Sequence, residues 1–206
     1  SPDGTLVAVA MSGGRIRVSR TSDFSLVHAL AGHRSTVTAV TFSPDGQLLA
    51  SVGFDGMLRT WNASDGSLRG EMEVVGGDAL YRNVHSVAFS PDGQRLVVAA
   101  EREAQVWDIG SHLLARLPFP QNCLEKAAAG HVIVAMAEFV TERRILANSR
   151  CGAIVWDGER YSERARLESG ADVISAALSP DNTFIALGAA DRNVRVWNLM
   201  SEGAVA

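Results

Sequence analysis

The 206-residue chain has one lysine, Lys126, among 19 basic residues, only two cysteines, and aromatic side chains at 6% of positions. Each scarcity excludes something. The net charge is −4, and the arginines are scattered singly or in short groups such as Arg143-Arg144. Nucleic acid and anionic membrane surfaces are bound by clustered Lys and Arg, so neither is expected as a partner. Cys123 and Cys151 lack metal-type spacing, and two thiols in a chain of this length make no disulfide framework. A reducing, cytoplasmic compartment is therefore expected. The longest apolar run, VIVAMA at 132–137, is far short of the roughly 20 residues that span a bilayer. No basic stretch followed by an apolar segment opens the chain, so the residues present give no reason to expect anchoring or export.

Signatures of chemistry are missing as well. There is no G-x-x-x-x-G-K-[ST] loop, no Gly-Lys pair, no H-E-x-x-H and no C-x-x-C, so phosphate-loop, zincin and thiol-pair chemistries lose their usual carriers. The five histidines (28, 33, 85, 112 and 131) are separated along the chain. No metal, cofactor or small-molecule substrate is expected. The 47% hydrophobic content is that of a chain able to bury a core.

What is present is repetition. SPDG stands at 1–4, 43–46 and 90–93, and SPDN at 179–182, so successive copies begin 42, 47 and 89 residues apart. The last interval spans two periods. All four tryptophans fall in Trp-Asp or Trp-Asn pairs (Trp61-Asn62, Trp107-Asp108, Trp156-Asp157, Trp197-Asn198), 17 or 18 residues after the SPD serine in the copies that retain it. A short alternating segment precedes each SPD turn (Val37, Ala39, Val40, Phe42 in one copy), and a second apolar run follows it (LLASVG, LVVAA, FIALGAA). Then come a turn, a strand ending in the Trp pair and a more variable fourth segment. Four short antiparallel strands per period are predicted. Within SPDG, Pro presets φ, Asp bonds its local backbone and Gly accepts positive φ, which reverses the chain between the first and second strands.

The period of 40 to 50 residues, the strand-terminal Trp pairs and Gly32-His33 ahead of one repeat together resemble the WD-repeat β-propellers over essentially the whole chain. The resemblance implies an all-β fold of four-stranded antiparallel blades around a channel. The blades are expected at 1–30 (partial), 36–75, 83–119, 131–169 and 172–206 (partial). About five blades in an incomplete ring, part of a longer, seven-bladed one, are expected, with two apolar blade faces exposed.

His33, Ser51 and Asp55 invite comparison with a hydrolytic triad. No G-x-S-x-G elbow surrounds Ser51, and the family resemblance implies instead that His33, Ser51, Asp55 and Trp61 form a structural hydrogen-bonded tetrad. The other repeats depart from that pattern. Val98 and Leu187 stand where Ser51 would fall, Cys151 lies near the Asp position of the fourth repeat, whose first turn FVTERR has lost SPDG, and Ser19 replaces the Trp of the first.

The resemblance also implies a docking face for proteins or peptides, formed by the segments leading into first strands and the turns between second and third strands. Its candidates are Arg34, Thr36, Phe54, Tyr81, Arg82, Arg102 and Arg150, each of which can equally be an ordinary loop residue. The connections 76–83 and 118–130 are further places for specific function. His85, in a first strand near the channel, has either an exposed polar role or a packing one. Two function classes follow: a non-catalytic interaction scaffold or sensor module within a longer protein, or a propeller accessory to an enzyme. The Trp-Asp/Asn strand ends favour the first.

Overall fold

A computed structural model describes residues 1–75, 84–100, 102–120, 134–199 and 203–205. Among them there is no helix, and the strands form five separate antiparallel sheets. Sheet one comprises β1 (Leu6–Ala10), β2 (Arg15–Arg20) and β3 (Leu26–Ala31). Sheet two comprises β4 (Val37–Phe42), β5 (Leu48–Gly53), β6 (Met57–Asn62) and β7 (Leu68–Glu73). Sheet three holds β8 (Val84–Phe89), β9 (Arg95–Ala100), β10 (Glu103–Asp108) and β11 (Leu113–Pro118). Sheet four holds β12 (Val134–Thr141), β13 (Arg144–Ser149), β14 (Gly152–Asp157) and β15 (Glu163–Glu168). Sheet five holds β16 (Val173–Leu178), β17 (Phe184–Ala189), β18 (Val194–Asn198) and β19 (Gly203–Val205). Within each sheet every strand pairs with the next in sequence, as in the blades of a propeller, and the ring is not closed.

The SPD turns close the first hairpin of sheets two, three and five through the same contacts each time. The Ser43 hydroxyl donates to Asp45 (2.5 Å) and accepts from the Leu48 N–H (2.9 Å), while the Asp45 carboxylate accepts from the Gln47 N–H (3.0 Å). Ser90 and Asp92 repeat this geometry. Gly46 and Gly93 lie at φ 71° and 69°, and Asn182 takes their place at 57°, as befits the residue most tolerant of that region after Gly. The turns also meet one another. A Cβ on Gly46 would lie 3.6 Å from Pro2, and one on Gly93 3.6 Å from Pro44, so the proline of one turn packs over the glycine of the next.

The tryptophans align in register. Trp61, Trp107, Trp156 and Trp197 lie opposite Leu49, Leu96, Ile145 and Ile185. In sheets two to four each also stands where a β-bulge shifts the pairing with the fourth strand, which increases local twist. Side chains alternate between the two faces of a strand, and every indole faces the preceding sheet. Trp61 packs with Ile16, Val18 and Leu30 of sheet one. Trp107 packs with Val52, Leu58 and Met72 of sheet two, Trp156 with Val97, Val106 and Leu117 of sheet three, and Trp197 with Leu146, Val155 and Leu167 of sheet four. At about 1.5–3 kcal/mol per fully buried large apolar side chain, these shared layers are the principal stabilising contribution.

The outer faces of sheets one and five differ from the expected apolar pair. Sheet five exposes Phe184 and Val194, the latter at 69%. On sheet one, Val9 is exposed beside Arg15 and Arg17, while Ile16 and Val18 turn inward. One face is apolar and the other mixed.

Candidate functional site

Sheet two carries a closed polar network at its contact with sheet one. The Trp61 indole N–H donates to Ser51 Oγ at 2.9 Å. The Ser51 oxygen lies 2.8 Å from His33 Nε2, and His33 Nδ1 lies 2.9 Å from Asp55 Oδ1. With the proton on Nδ1, one directional chain runs from the indole through the hydroxyl and the imidazole to the carboxylate. Gly32 makes room for it, since a Cβ there would lie 2.9 Å from Trp61 Cη2.

The network has a member that sequence reasoning missed. Arg59 is 2% exposed, and its guanidinium donates to Asp55 Oδ2 at 2.8 Å and to Glu71 Oε2 at 2.7 Å. Arg59 stands two residues before Trp61 and therefore on the same face of its strand, a signal present in MLRTWN. Burial by itself would push the Asp55 carboxyl up, but hydrogen bonds from His33, the Arg34 N–H and Arg59 hold it down at about 2. Burial pushes the His33 pKa down, and the neighbouring Arg59 adds to this against the opposing pull of Asp55. The imidazole is neutral near pH 7, and its contact with Asp55 is a hydrogen bond rather than an ion pair.

This geometry does not suit a nucleophile. Ser51 is 0% exposed and its oxygen is engaged by both Trp61 and His33, so a substrate has no path to it. The arrangement satisfies buried polar groups and sets strand register. Among the described residues no group of His, Cys, Asp and Glu could hold a metal ion.

The other sheets place different residues at the same positions. In sheet three, Val98 stands opposite Gln105, and the Trp107 N–H donates to Gln105 Oε1 at 3.1 Å instead. In sheet four, Ala147 stands opposite Ile154, and Trp156 meets Phe119 edge-on with centroids 5.7 Å apart. In sheet five, Arg195 pairs with Asp191 at 2.5 Å. Where sheet four has lost SPDG, Glu142 crosses to sheet three, accepting from the Asp92 N–H (2.5 Å) and from Arg95 (2.9 Å).

Of the docking candidates, Arg34 and Thr36 lie on the approach to β4, and Phe54, Arg102 and Arg150 lie in turns between second and third strands. The antiparallel meander brings all five to one end of the sheets. Arg34, Phe54, Arg102 and Arg150 are exposed and Thr36 is half-buried. Their backbones are held in place. The Phe54 N–H donates to the Thr36 carbonyl (3.0 Å), the Arg34 N–H to Asp55 (2.9 Å), and the Arg150 carbonyl accepts from Val173 (2.7 Å). The Phe54 ring meets His85 edge-on at 6.5 Å. Tyr81, Arg82 and the connection 76–83 lie outside the described residues, as does most of 118–130.

The cysteine reading needs correction. Cys151 is disulfide-bonded, which the inference of a reducing compartment from the cysteine count did not anticipate. Cys123, the other cysteine of the sequence, lies outside the described residues.

The description "WD domain, G-beta repeat" matches residues 24–62, 78–108 and 164–198, together just over half of the chain. The chain is 26% identical to WD repeat-containing protein 75 of Xenopus laevis over 221 residues, covering 96% of the chain and 25% of that protein. It is 33% identical to small ribosomal subunit protein RACK1y of Oryza sativa subsp. japonica over 99 residues, 48% of the chain and 28% of that protein. With telomerase protein component 1 of Rattus norvegicus it shares 28% identity over 208 residues, 98% of the chain and 7% of that protein. The chain thus spans less than a third of the length of each of these relatives.

Proposed function

Because the chain belongs to the WD-repeat family, we propose that it is a non-catalytic interaction module, and that it presents the end bearing Arg34, Thr36, Phe54, Arg102 and Arg150 to a protein or peptide partner within a larger assembly. The observation that carries this reading is Phe54. It is a large apolar side chain left 44% exposed on a turn whose backbone is bonded to the neighbouring segment and whose ring is braced by His85. A rigid exposed aromatic loses little entropy when a partner covers it, and such residues commonly anchor interfaces. The polar groups that resemble a triad are meanwhile consumed inside sheet two.

Photo-crosslinking from a benzoylphenylalanine at position 54 tests the reading, followed by capture of the identified partner with the Phe54→Ala protein. Partner capture is expected to fall by about tenfold, the loss of an anchoring aromatic. Capture that is unchanged in a correctly folded Phe54→Ala protein overturns this choice of face.

A further inference from the structure

Many arginines on the body of the sheets are engaged, although among the described residues Arg15 and Arg69 are exposed there with no carboxylate partner. Arg59, Arg95, Arg116, Arg164 and Arg195 each pair with a carboxylate. Those at the proposed docking end are not. Arg34, Arg102, Arg150 and Arg192 are exposed, and among the described residues no hydrogen bond or ion pair reaches their guanidinium groups. Three of the four recur at one place, the turn between second and third strands: Arg102 in sheet three, Arg150 in sheet four and Arg192 in sheet five. Arg192, which sequence reasoning did not single out, adopts a positive φ of 68° there.

Among the described residues the acids of this end do not neutralise them. Asp55 is buried against His33 and Arg59, and Asp191 is held by Arg195. Asp172, on the approach to sheet five, is exposed, with Glu73 and Glu168 further out on the fourth strands. In a chain of net charge −4, one end therefore concentrates unpaired cations beside an exposed aromatic, and it favours acidic over basic partners.

We infer that this end receives an acidic protein segment, an extended run whose Asp or Glu carboxylates meet one arginine per sheet while an apolar side chain rests on Phe54. This builds on the docking face proposed above. The guanidinium fork matches a carboxylate in bidentate fashion and is weakly hydrated, so such pairing is selective. One arginine per successive sheet suits charges distributed along a chain, whereas a phosphate group draws several arginines to one point.

Fluorescence anisotropy of the full chain with a labelled oligoglutamate peptide tests this, with oligolysine and a single-stranded DNA oligonucleotide as comparison probes. Oligoglutamate is expected to bind, with affinity falling as salt rises. Arg102→Gln/Arg150→Gln is expected to weaken it about fivefold, two partly screened charge pairs. Arg69→Gln/Arg160→Gln removes equal charge from arginines outside this end and is expected to change nothing. Equal loss in both double variants, or tighter binding of the oligonucleotide than of oligoglutamate, overturns the inference. If Phe54→Ala abolishes partner capture while Arg102→Gln/Arg150→Gln leaves both capture and oligoglutamate binding intact, the acidic partner fails and the docking face stands. If neither variant affects capture, the docking face fails as well.

Discussion

Sheets two and four seat a tryptophan at the same register position by opposite chemistry. In sheet two, Trp61 begins a chain through Ser51 and His33 to Asp55, with Arg59 buried beside it. In sheet four the corresponding positions hold Ala147 and Ile154, and Trp156 is packed edge-on against Phe119. Both indoles are 3% exposed, so the Trp position is set by packing against the preceding sheet, and the polar network is one of several ways to complete it. A buried network adds specificity of register but depends on every member. An apolar seat has no such dependence.

The comparison breaks most sharply at Asp55. Asp55→Ala leaves the buried Arg59 guanidinium with Glu71 as its one carboxylate and His33 without its acceptor, and it is expected to cost about 3–5 kcal/mol, read as a shift of the urea midpoint. A loss under 1 kcal/mol would mean that the network contributes little. Next, Trp61→Phe deprives Ser51 of a donor whereas Trp156→Phe removes mainly packing. The first is expected to cost about 1 kcal/mol more than the second, and equal losses would show that both indoles act by volume alone.

Acid separates the two sheets further. His33 is kept neutral by burial, so the unfolded chain takes up a proton near pH 6.5 more readily than the folded one. Stability that is full above that pH is expected to decline as the pH falls through it. Asp55, held at about 2 against the ordinary carboxyl value of 3.8, adds a second loss as the pH falls from about 4 toward 2. The strands of sheet four contain no histidine. Hydrogen exchange between pH 7 and 5 should therefore show amides of β5 losing protection before those of β13, and parallel behaviour would contradict the proposed protonation state. The smallest effect is expected at Glu138 in β12, whose carboxyl is pushed up by burial. Glu138→Gln removes the cost of a desolvated charge and should raise Tm slightly at pH 7. The gain should vanish below about pH 4.5, where both folded and unfolded carboxyls are protonated.

Much of this architecture was legible because it is local. Pro, Asp and Gly act within four residues, and period-2 alternation assigns each side chain to a face without knowledge of its neighbour. What was not legible depended on contacts across sheets. Glu142 takes over from a lost SPDG by reaching Asp92 and Arg95, and FVTERR does not announce it. Arg59 was readable from its parity with Trp61, whereas Gln105 as the substitute acceptor for Trp107 needed the side-chain geometry. The disulfide at Cys151 lay beyond any argument from spacing.

By itself the sequence determined the family, the repeat period, the turn chemistry and the alignment of the four tryptophans, since each follows from backbone preference and side-chain alternation over short stretches. Only the tertiary structure decided that Ser51 is sealed within a network, that SPDG turns pack on one another, and that among the described residues exposed arginines gather without partners at one end while several on the sheets are paired with carboxylates. The physical reason is that pairing and burial depend on side chains contributed by other strands. Their identities are written in the chain, but their proximity exists only once the sheets have packed.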